Sequence, residues 1–518
     1  MLKAVRGLKQ EGIDLELKLL YDLDLTEEKI TRDELFNELV ISDAIIMDFR
    51  GTAFGLEEIF QEALADARKP VLGMPYARAI MPFIQLGEFS MKRFARAEKV
   101  EAEPFIDAPS SFVERIRMFQ NIILKAGKYL PIGYFKDAAN YVRFCKYFYA
   151  GGIENYSNMF RLILNYLGVE TKPLAEPAEP KAYGIYHPDL GYFDELGSYW
   201  SVKGFRSDKP NIGALFFGGL HLELAEETLR SLEQKFAGYN LIPVYTDGFK
   251  TLEALRNYFG DRGRAVEAII SLQWFRLNGG PLGGNPHDTV TLLNKLNVPV
   301  FTPVTMYMRK VEDWKKSSVG LDPIETIASI TWPELDGCLE PIPICGIQEN
   351  PVDNQNGHSI VPIADRLERI CARIKKRIAL RTKSNQEKRI ALIIYNYPPG
   401  EANLASASYL DVFASLEQIL KILESAGYLV KIPEKPLAEL FLEYHLVNSG
   451  TWLNPSKIPF YGFSLELNDY LEFFRALPAS SQKQVIAFWG EPPGKIMCNA
   501  ERIFIPAIEL GNLLIGLQ

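Results

Sequence analysis

Cysteine is scarce in this chain of 518 residues: Cys145, Cys338, Cys345, Cys371 and Cys498 are the five present, and no two form a CxxC pair. That scatter excludes a disulfide framework and a thiolate zinc site, and it fits a reducing, cytoplasmic setting. Long apolar runs are missing too. No stretch reaches the roughly eighteen residues that a membrane-spanning helix needs, and the first residues lack the charged-then-apolar layout of a secretory signal. Basic charge is in deficit, with 57 Lys and Arg against 65 Asp and Glu and a net charge of -8, which argues against general nucleic-acid binding because phosphate contacts need a basic face. The histidines His187, His221, His287, His358 and His445 form no HExxH and no pair at ligand spacing. GxSxG, Walker A and HRD-type motifs are absent as well, so self-contained hydrolase, ATPase and kinase chemistry lacks support.

What is present is apolar content of 47% with 12% aromatics, enough to bury several cores; length alone suggests roughly three or four domains. The hydrophobic rhythm is strand, helix, strand, the pattern of an α/β fold with several doubly wound parallel-sheet domains and an additional helical layer. Three regions are expected, 1–174, 175–385 and 386–518. The first opens with a helix over 1–12, then strands at Leu15–Leu20, Ala44–Met47 and Pro70–Met74 with helices from Arg32 and Leu56. After about residue 110 it turns helical and aromatic, with Phe119, Tyr129, Tyr134, Tyr141, Phe144, Tyr147 and Phe148, a composition that suits a packed helical layer. Lys172–Pro180, with Pro173, Pro177 and Pro180, reads as a linker.

In the second region the strands are Ile212–Phe217, Leu241–Tyr245, Ala268–Leu272 and Pro299–Thr302, separated by helices at 222–236, 252–259 and 288–296. Two of its loops leave strand ends with ligand potential. Gly218-Gly219-Leu220-His221 leads straight into a helix, where backbone amides can meet an anion. Trp274–Gly284 is glycine-rich without the spacing of a dinucleotide or phosphate-loop fingerprint, which favours tight turns over phosphate cradling. The basic stretch Arg366–Lys388 carries Leu367, Ile370, Ile374 and Ile378 at helical spacing and reads as an amphipathic helix.

The third region opens on Ile390–Ile394, a run that reads as a buried parallel strand. A helix follows from Asp411, with Val412, Leu416, Ile419, Leu420 and Leu423 on one face and Gly427 placed to end it. Between them runs Tyr397–Leu410, far longer than the roughly two to six residues of an ordinary strand-to-helix turn. Ligands of open parallel sheets sit at the carboxyl ends of strands, so this loop is a candidate site. Further strands are expected at Leu429–Ile432, Val485–Phe488 and the final run Leu514–Leu517, with a helix over 437–447.

Three segments carry a resemblance. Tyr395-Asn396-Tyr397-Pro398-Pro399-Gly400-Glu401-Ala402-Asn403 with Tyr409-Leu410-Asp411-Val412, Trp332-Pro333-Glu334-Leu335-Asp336-Gly337 upstream, and Trp489-Gly490 to Gly494 with Gly511-Asn512 and Gly516-Leu517-Gln518 downstream resemble the large subunit of cobaltochelatase and magnesium chelatase. Their order and spacing agree over nearly the whole chain. Ala405 replaces an expected glycine, and Glu401 stands where a lysine is frequent. The resemblance implies a tetrapyrrole-binding, amino-terminal part of a large subunit that contributes to ATP-dependent insertion of cobalt or magnesium into a corrin precursor or porphyrin. It implies as partners the carboxyl-terminal part of the large subunit and AAA+ subunits that hydrolyse the ATP, and it places a His-Gly-Thr-His-Gly segment of that family beyond residue 518. The tetrapyrrole candidates it marks are His221, Tyr395, Tyr397, Pro399, Gly400, Asn403, Asp411, Trp489 and Gly490, with no metal ligand and no catalytic residue assigned. The alternative is a non-catalytic carrier or sensor of tetrapyrroles, or a decayed paralogue.

Overall fold

The computed structural model describes residues 1–21, 25, 29–49, 55–64, 67–74, 80–92, 132–178, 181–260, 266–280, 284–349, 358–396, 404–444, 446 and 463–518. The chain divides into two compact units, residues 1–375 and 376–518.

The first unit begins with α1 (Leu2–Gln10), α2 (Arg32–Ile41), β1 (Ile45–Met47), α3 (Glu57–Leu64) and β2 (Val71–Gly73). Thr31 and Glu34 start α2 with a capping box that satisfies amide donors the helix end leaves open. β1 and β2 pair in parallel, and the short strands β3 (Gln85–Leu86) and β4 (Phe89–Ser90) extend this sheet antiparallel. Leu15–Leu20, expected as a strand, joins none of the sheets formed by the described residues; Leu15 and Leu17 pack partly buried on the core instead. Phe119 and Tyr129 lie outside the described residues. The rest of the aromatic segment folds as α4 (Gly133–Ala150) and α5 (Gly152–Tyr166), with Tyr141, Phe144, Tyr147 and Phe148 buried as a helical layer. Residues 172–178 are strapped to it. The Ala175 and Ala178 amides donate to the side chains of Asn158 and Asn155 at 3.2 and 3.0 Å, and the Tyr147 hydroxyl donates to the Ala175 carbonyl.

The largest sheet follows: β5 (Tyr183–His187), β6 (Gly191–Phe193), α6 (Leu196–Lys203), β7 (Asn211–Phe217), α7 (Leu222–Lys235), β8 (Asn240–Thr246), α8 (Thr251–Tyr258), β9 (Ala268–Ser271), α9 (Pro286–Leu296) and β10 (Val300–Phe301). Its strand order is β10-β9-β7-β8-β5-β6. β7 to β10 run parallel, as their unbroken apolar runs imply, and β5 and β6 add an antiparallel edge that the sequence pattern does not reveal. At Gly213 in β7 an added Cβ would lie 2.5 Å from the Phe259 ring, so this close approach tolerates no side chain. A second group comprises β11 (Val304–Lys310), α10 (Val311–Lys316), α11 (Pro323–Thr326), a π-helical turn (Ile327–Thr331), α12 (Trp332–Leu335), β12 (Pro343–Glu349) and β13 (His358–Pro362). β12 is parallel to β11 and antiparallel to β13. α13 (Ala364–Thr382) buries Leu367, Ile370, Ile374 and Ile378, the apolar face of the basic stretch.

The second unit contains β14 (Ile390–Ile394), α14 (Val412–Ser425), α15 (Leu437–Glu443), β15 (Phe463–Glu466), α16 (Leu467–Ala476), α17 (Ala479–Trp489), β16 (Arg502–Ile505), β17 (Ala507–Leu510) and β18 (Leu513–Leu517). β14 pairs in parallel with β18, the last strand, which pairs antiparallel with β17. Three expectations need correcting. β14 is not buried on both faces, since Ile393 is 65% exposed. Val485–Phe488 is not a strand but the end of α17, which starts after Pro478 and stops at Gly490 with φ 81°; a short apolar run does not by itself separate strand from helix, and the Pro and Gly bounds decide it. Leu429–Ile432 contributes only an isolated bridge between Val430 and Gly511.

Ala405, standing where a glycine is expected, is buried and adopts φ 56°. A Cβ in the left-handed region costs about 1 kcal/mol and the added freedom of the unfolded glycine chain takes back about 0.4–1 kcal/mol, so Ala405→Gly is expected to stabilise the second unit by at most about 0.6 kcal/mol in urea unfolding.

Candidate functional site

The parallel order of the large sheet creates a crevice. β7 leads through α7 to β8 on one side, while β9 leads through α9 to β10 on the other. The loops after β7 and β9 therefore diverge, and the space between adjacent diverging loops at the carboxyl ends of strands is where open α/β sheets hold ligands. Both loops are those singled out from sequence, Gly218–His221 and the segment starting at Trp274.

The floor of this crevice is polar and saturated. Gln273, 6% exposed, donates through Nε2 to Thr246 Oγ1 at 2.8 Å and to the Phe216 carbonyl at 3.3 Å. Thr246 Oγ1 also pairs with Thr251 Oγ1 at 2.9 Å and accepts the Gly248 amide at 3.1 Å. One network thus joins the ends of β7, β8 and β9, and such a satisfied buried network rigidifies its surroundings.

Above the floor runs a row of rings. Phe217 lies 5.8 Å from His221, His221 6.3 Å from Tyr307, Tyr307 4.9 Å from Trp274, Trp274 6.0 Å from Phe275 and Phe275 5.5 Å from Trp332. These are aromatic contact distances. All the rings in the row are partly buried; a core stack would be closed to water, whereas these present part of their surface. The two glycines of the first loop serve packing: a Cβ at Gly218 would sit 2.6 Å from the Tyr245 ring, and one at Gly219 would sit 2.9 Å from the Tyr149 carbonyl.

Successive residues of the second loop are pinned by three partners, Thr305, Ala328 and Asp336. The Trp274 indole N–H donates to the Thr305 carbonyl at 3.0 Å. The Phe275 amide donates to the Ala328 carbonyl at 2.8 Å, and Phe275 holds φ 68°, a strained value for a bulky residue. Arg276 Nε and the Leu277 amide donate to the two oxygens of Asp336 at 2.7 and 2.8 Å. The side chain of Asp336 is wholly buried. Beneath Tyr307, the Met308 amide donates to Glu325 Oε1 at 3.0 Å. Burial pushes the Glu325 carboxyl up to about 7; the Met308 N–H pulls it down, and Asp322 pushes it further up.

Of the residues marked from sequence, His221 lies in this crevice. Tyr395 stands at the end of β14, 53% exposed, and Trp489 ends α17, 61% exposed, with Gly490 as its stop. Asp411 caps α14, accepting the Ala414 amide at 3.0 Å. Tyr397, Pro399, Gly400 and Asn403 lie outside the described residues. Sequence reading missed Phe217, Trp274, Phe275, Tyr307 and Trp332 as a group, because the row assembles from separate segments; the shared signal was an aromatic next to a glycine-rich or motif segment. Among the described residues no group of three His, Cys, Asp or Glu side chains is placed to hold a metal ion. No helix among them is long and apolar enough to cross a membrane.

Residues 145–518 match the CobN/magnesium chelatase family. The chain belongs to that family. It is 27% identical over 479 residues to the chloroplastic magnesium-chelatase subunit ChlH of Oryza sativa, covering 88% of this chain and 33% of the relative. It is 32% identical over 394 residues to an uncharacterized protein of Methanocaldococcus jannaschii, 72% of this chain and 32% of that one, and 25% identical over 383 residues to the aerobic cobaltochelatase subunit CobN of Pseudomonas aeruginosa, 73% and 30% respectively. The fold is also that of the catalytic subunit of cobaltochelatase from Mycobacterium tuberculosis, with TM-score 0.54, 18% identity and coverage of 95% of this chain and 36% of that one. The chain thus spans about a third of the length of the curated relatives it matches.

Proposed function

We propose that this family member is the tetrapyrrole-binding part of a metal chelatase large subunit and contributes to ATP-dependent insertion of cobalt or magnesium into a corrin precursor or porphyrin. The observation that carries the reading is the row of half-buried rings at the diverging loops of the sheet, in a chain of the CobN/magnesium chelatase family. A flat conjugated macrocycle suits such a row of mutually tilted rings, because one ring can stack on it while its neighbours pack edge-on, burying large area at little conformational cost. In this reading the face of Trp274 stacks on the ring, Tyr307 and Phe275, inclined at 68° and 72° to it, meet the macrocycle edge-on, and His221 hydrogen-bonds its carboxylates or amides. The Gln273 network holds the floor still. For the second unit, taken by itself, Tyr395, Tyr397 and Trp489 are proposed as candidates to stack on or flank a tetrapyrrole and Asn403 to hydrogen-bond its carboxylates or amides, with Pro399, Gly400, Asp411 and Gly490 as the other candidate positions.

Metal insertion must remove two pyrrole protons and deliver the ion. The proposal assigns these steps to the assembled complex: this chain, a polypeptide equivalent to the carboxyl-terminal part of the large subunit, and AAA+ subunits that hydrolyse ATP, all in the cytoplasm. Mixing these components with porphyrin and Mg2+, or with a corrin precursor and Co2+, is expected to give metallated product that depends on both ATP and this chain, read by the macrocycle's absorbance. Failure in a mixture where a relative's complete large subunit does support insertion would overturn the assignment.

A further inference from the structure

Two walls of the crevice, the Tyr307 strand and the Trp274–Phe275 loop, are braced from behind by one short segment, residues 322–337. It meets β11 through Glu325, whose Oε1 accepts the Met308 amide at 3.0 Å. It meets the loop through the Ala328 carbonyl, which accepts the Phe275 amide at 2.8 Å, and through Asp336. Between these anchors lies the π-helical turn Ile327–Thr331, a rare form that concentrates at functional sites.

The brace has one unsatisfied spot. Glu325 is 0% exposed, yet no donor reaches its Oε2, and one turn on the buried Ser329 Oγ has no partner either. A carboxylate enclosed with an empty oxygen is strongly disfavoured, whereas the neutral acid is tolerated. The arrangement seen therefore suits protonated Glu325. The charged groups around it are few. Asp322, which caps α11, opposes the ionised form by its charge and by a side-chain hydrogen bond that needs the Glu325 proton, while Arg309 of β11 favours it. Arg276 is already engaged by Asp336, and Glu334 of α12 is exposed.

We propose that Glu325 is a positioning residue of the crevice, whose proton holds the Tyr307 wall and the Trp274–Phe275 wall at the spacing a flat ligand needs and whose ionisation loosens them. The inference rests on reading the crevice as a ligand site. Its sign follows from the carboxyl being raised from an ordinary 4.5 to about 7: the folded state keeps a proton that the unfolded chain has released, so the stabilising contribution is whole below about 4.5 and is lost as pH rises through about 7. Ligand affinity tracks it through linkage.

The test has two arms on the full chain, between pH 6.0 and 8.5, where porphyrin propionates stay ionised. Without ligand, tryptophan emission is expected to change with a midpoint near pH 7, and the change is expected to vanish in Glu325→Gln and in the reporter control Trp274→Phe. With protoporphyrin IX, wild-type affinity is expected to fall about threefold to tenfold across the range, and Glu325→Gln is expected to keep the low-pH affinity throughout. No wild-type transition, or one unchanged in Glu325→Gln, overturns the role of Glu325 even if the porphyrin binds. A transition that depends on Glu325 without porphyrin binding at any pH supports the brace and overturns the ligand reading instead. Absence of the wild-type transition overturns the role even if the glutamine variant does not fold, and a transition that persists in Trp274→Phe overturns its link to the crevice wall.

Discussion

Asp336→Ala is expected to lower the stability of the first unit by about 3–5 kcal/mol, the range for removing one partner of a buried ion pair. Asp336 is fully buried and faces Arg276, which is only 16% exposed. Its removal leaves the guanidinium without an anion and the Leu277 amide without its acceptor, so desolvation is no longer offset. The loop carrying Trp274 and Phe275 then loses two of its anchors, and the crevice wall loosens along with the global loss. Asp336→Asn keeps one acceptor oxygen and is expected to lose less, about 2 kcal/mol. The double change Arg276→Leu with Asp336→Leu removes the charge pair cleanly and is expected to recover much of the deficit, short of the Leu277 amide. Urea unfolding followed by circular dichroism measures all three. A loss under about 1 kcal/mol for Asp336→Ala would mean that the pair is not closed to solvent.

Trp274→Ala is expected to weaken protoporphyrin binding about 10- to 30-fold, near 2 kcal/mol, as for a central aromatic anchor. Tyr307→Ala belongs in the same range, while Tyr307→Phe keeps the ring and is expected to stay close to wild type. Trp274→Phe retains a ring but forfeits the indole bond to Thr305, and an intermediate loss is expected. Trp489→Ala in the second unit removes an exposed ring from a helix end, so an effect below about threefold is expected. A loss for Trp489→Ala with none for Trp274→Ala would move the ligand away from the crevice.

Sequence alone placed the parallel strands of the large sheet well, because Ile212–Phe217 and its neighbours are unbroken apolar runs separated by helical periodicity. It also marked both crevice loops. It did not see that they face each other, since that depends on strand order, and Tyr307 and Trp332 reach the row from elements 30 or more residues downstream. The segment Trp332–Gly337 was noticed for its resemblance, and its two roles, a ring for the row and a clamp through Asp336, needed the fold. Val485–Phe488 failed as a strand because four apolar residues fit either period. Glu325 was invisible because Asp322-Pro323-Ile324-Glu325 reads as an ordinary capped helix start, and its burial against β11 is tertiary. The antiparallel edge β5–β6 has no distinguishing run of its own.

The central claim is that the crevice at the ends of β7 and β9 holds a flat tetrapyrrole. Its most direct measurement is a protoporphyrin IX titration of the full chain, followed by tryptophan fluorescence, beside the double variant Trp274→Ala with Tyr307→Ala whose fold is checked by circular dichroism. Saturable quenching at micromolar concentrations in the native chain, lost in the folded double variant, is the expected result. Absence of saturable quenching, or quenching of equal affinity in the double variant, would contradict the claim.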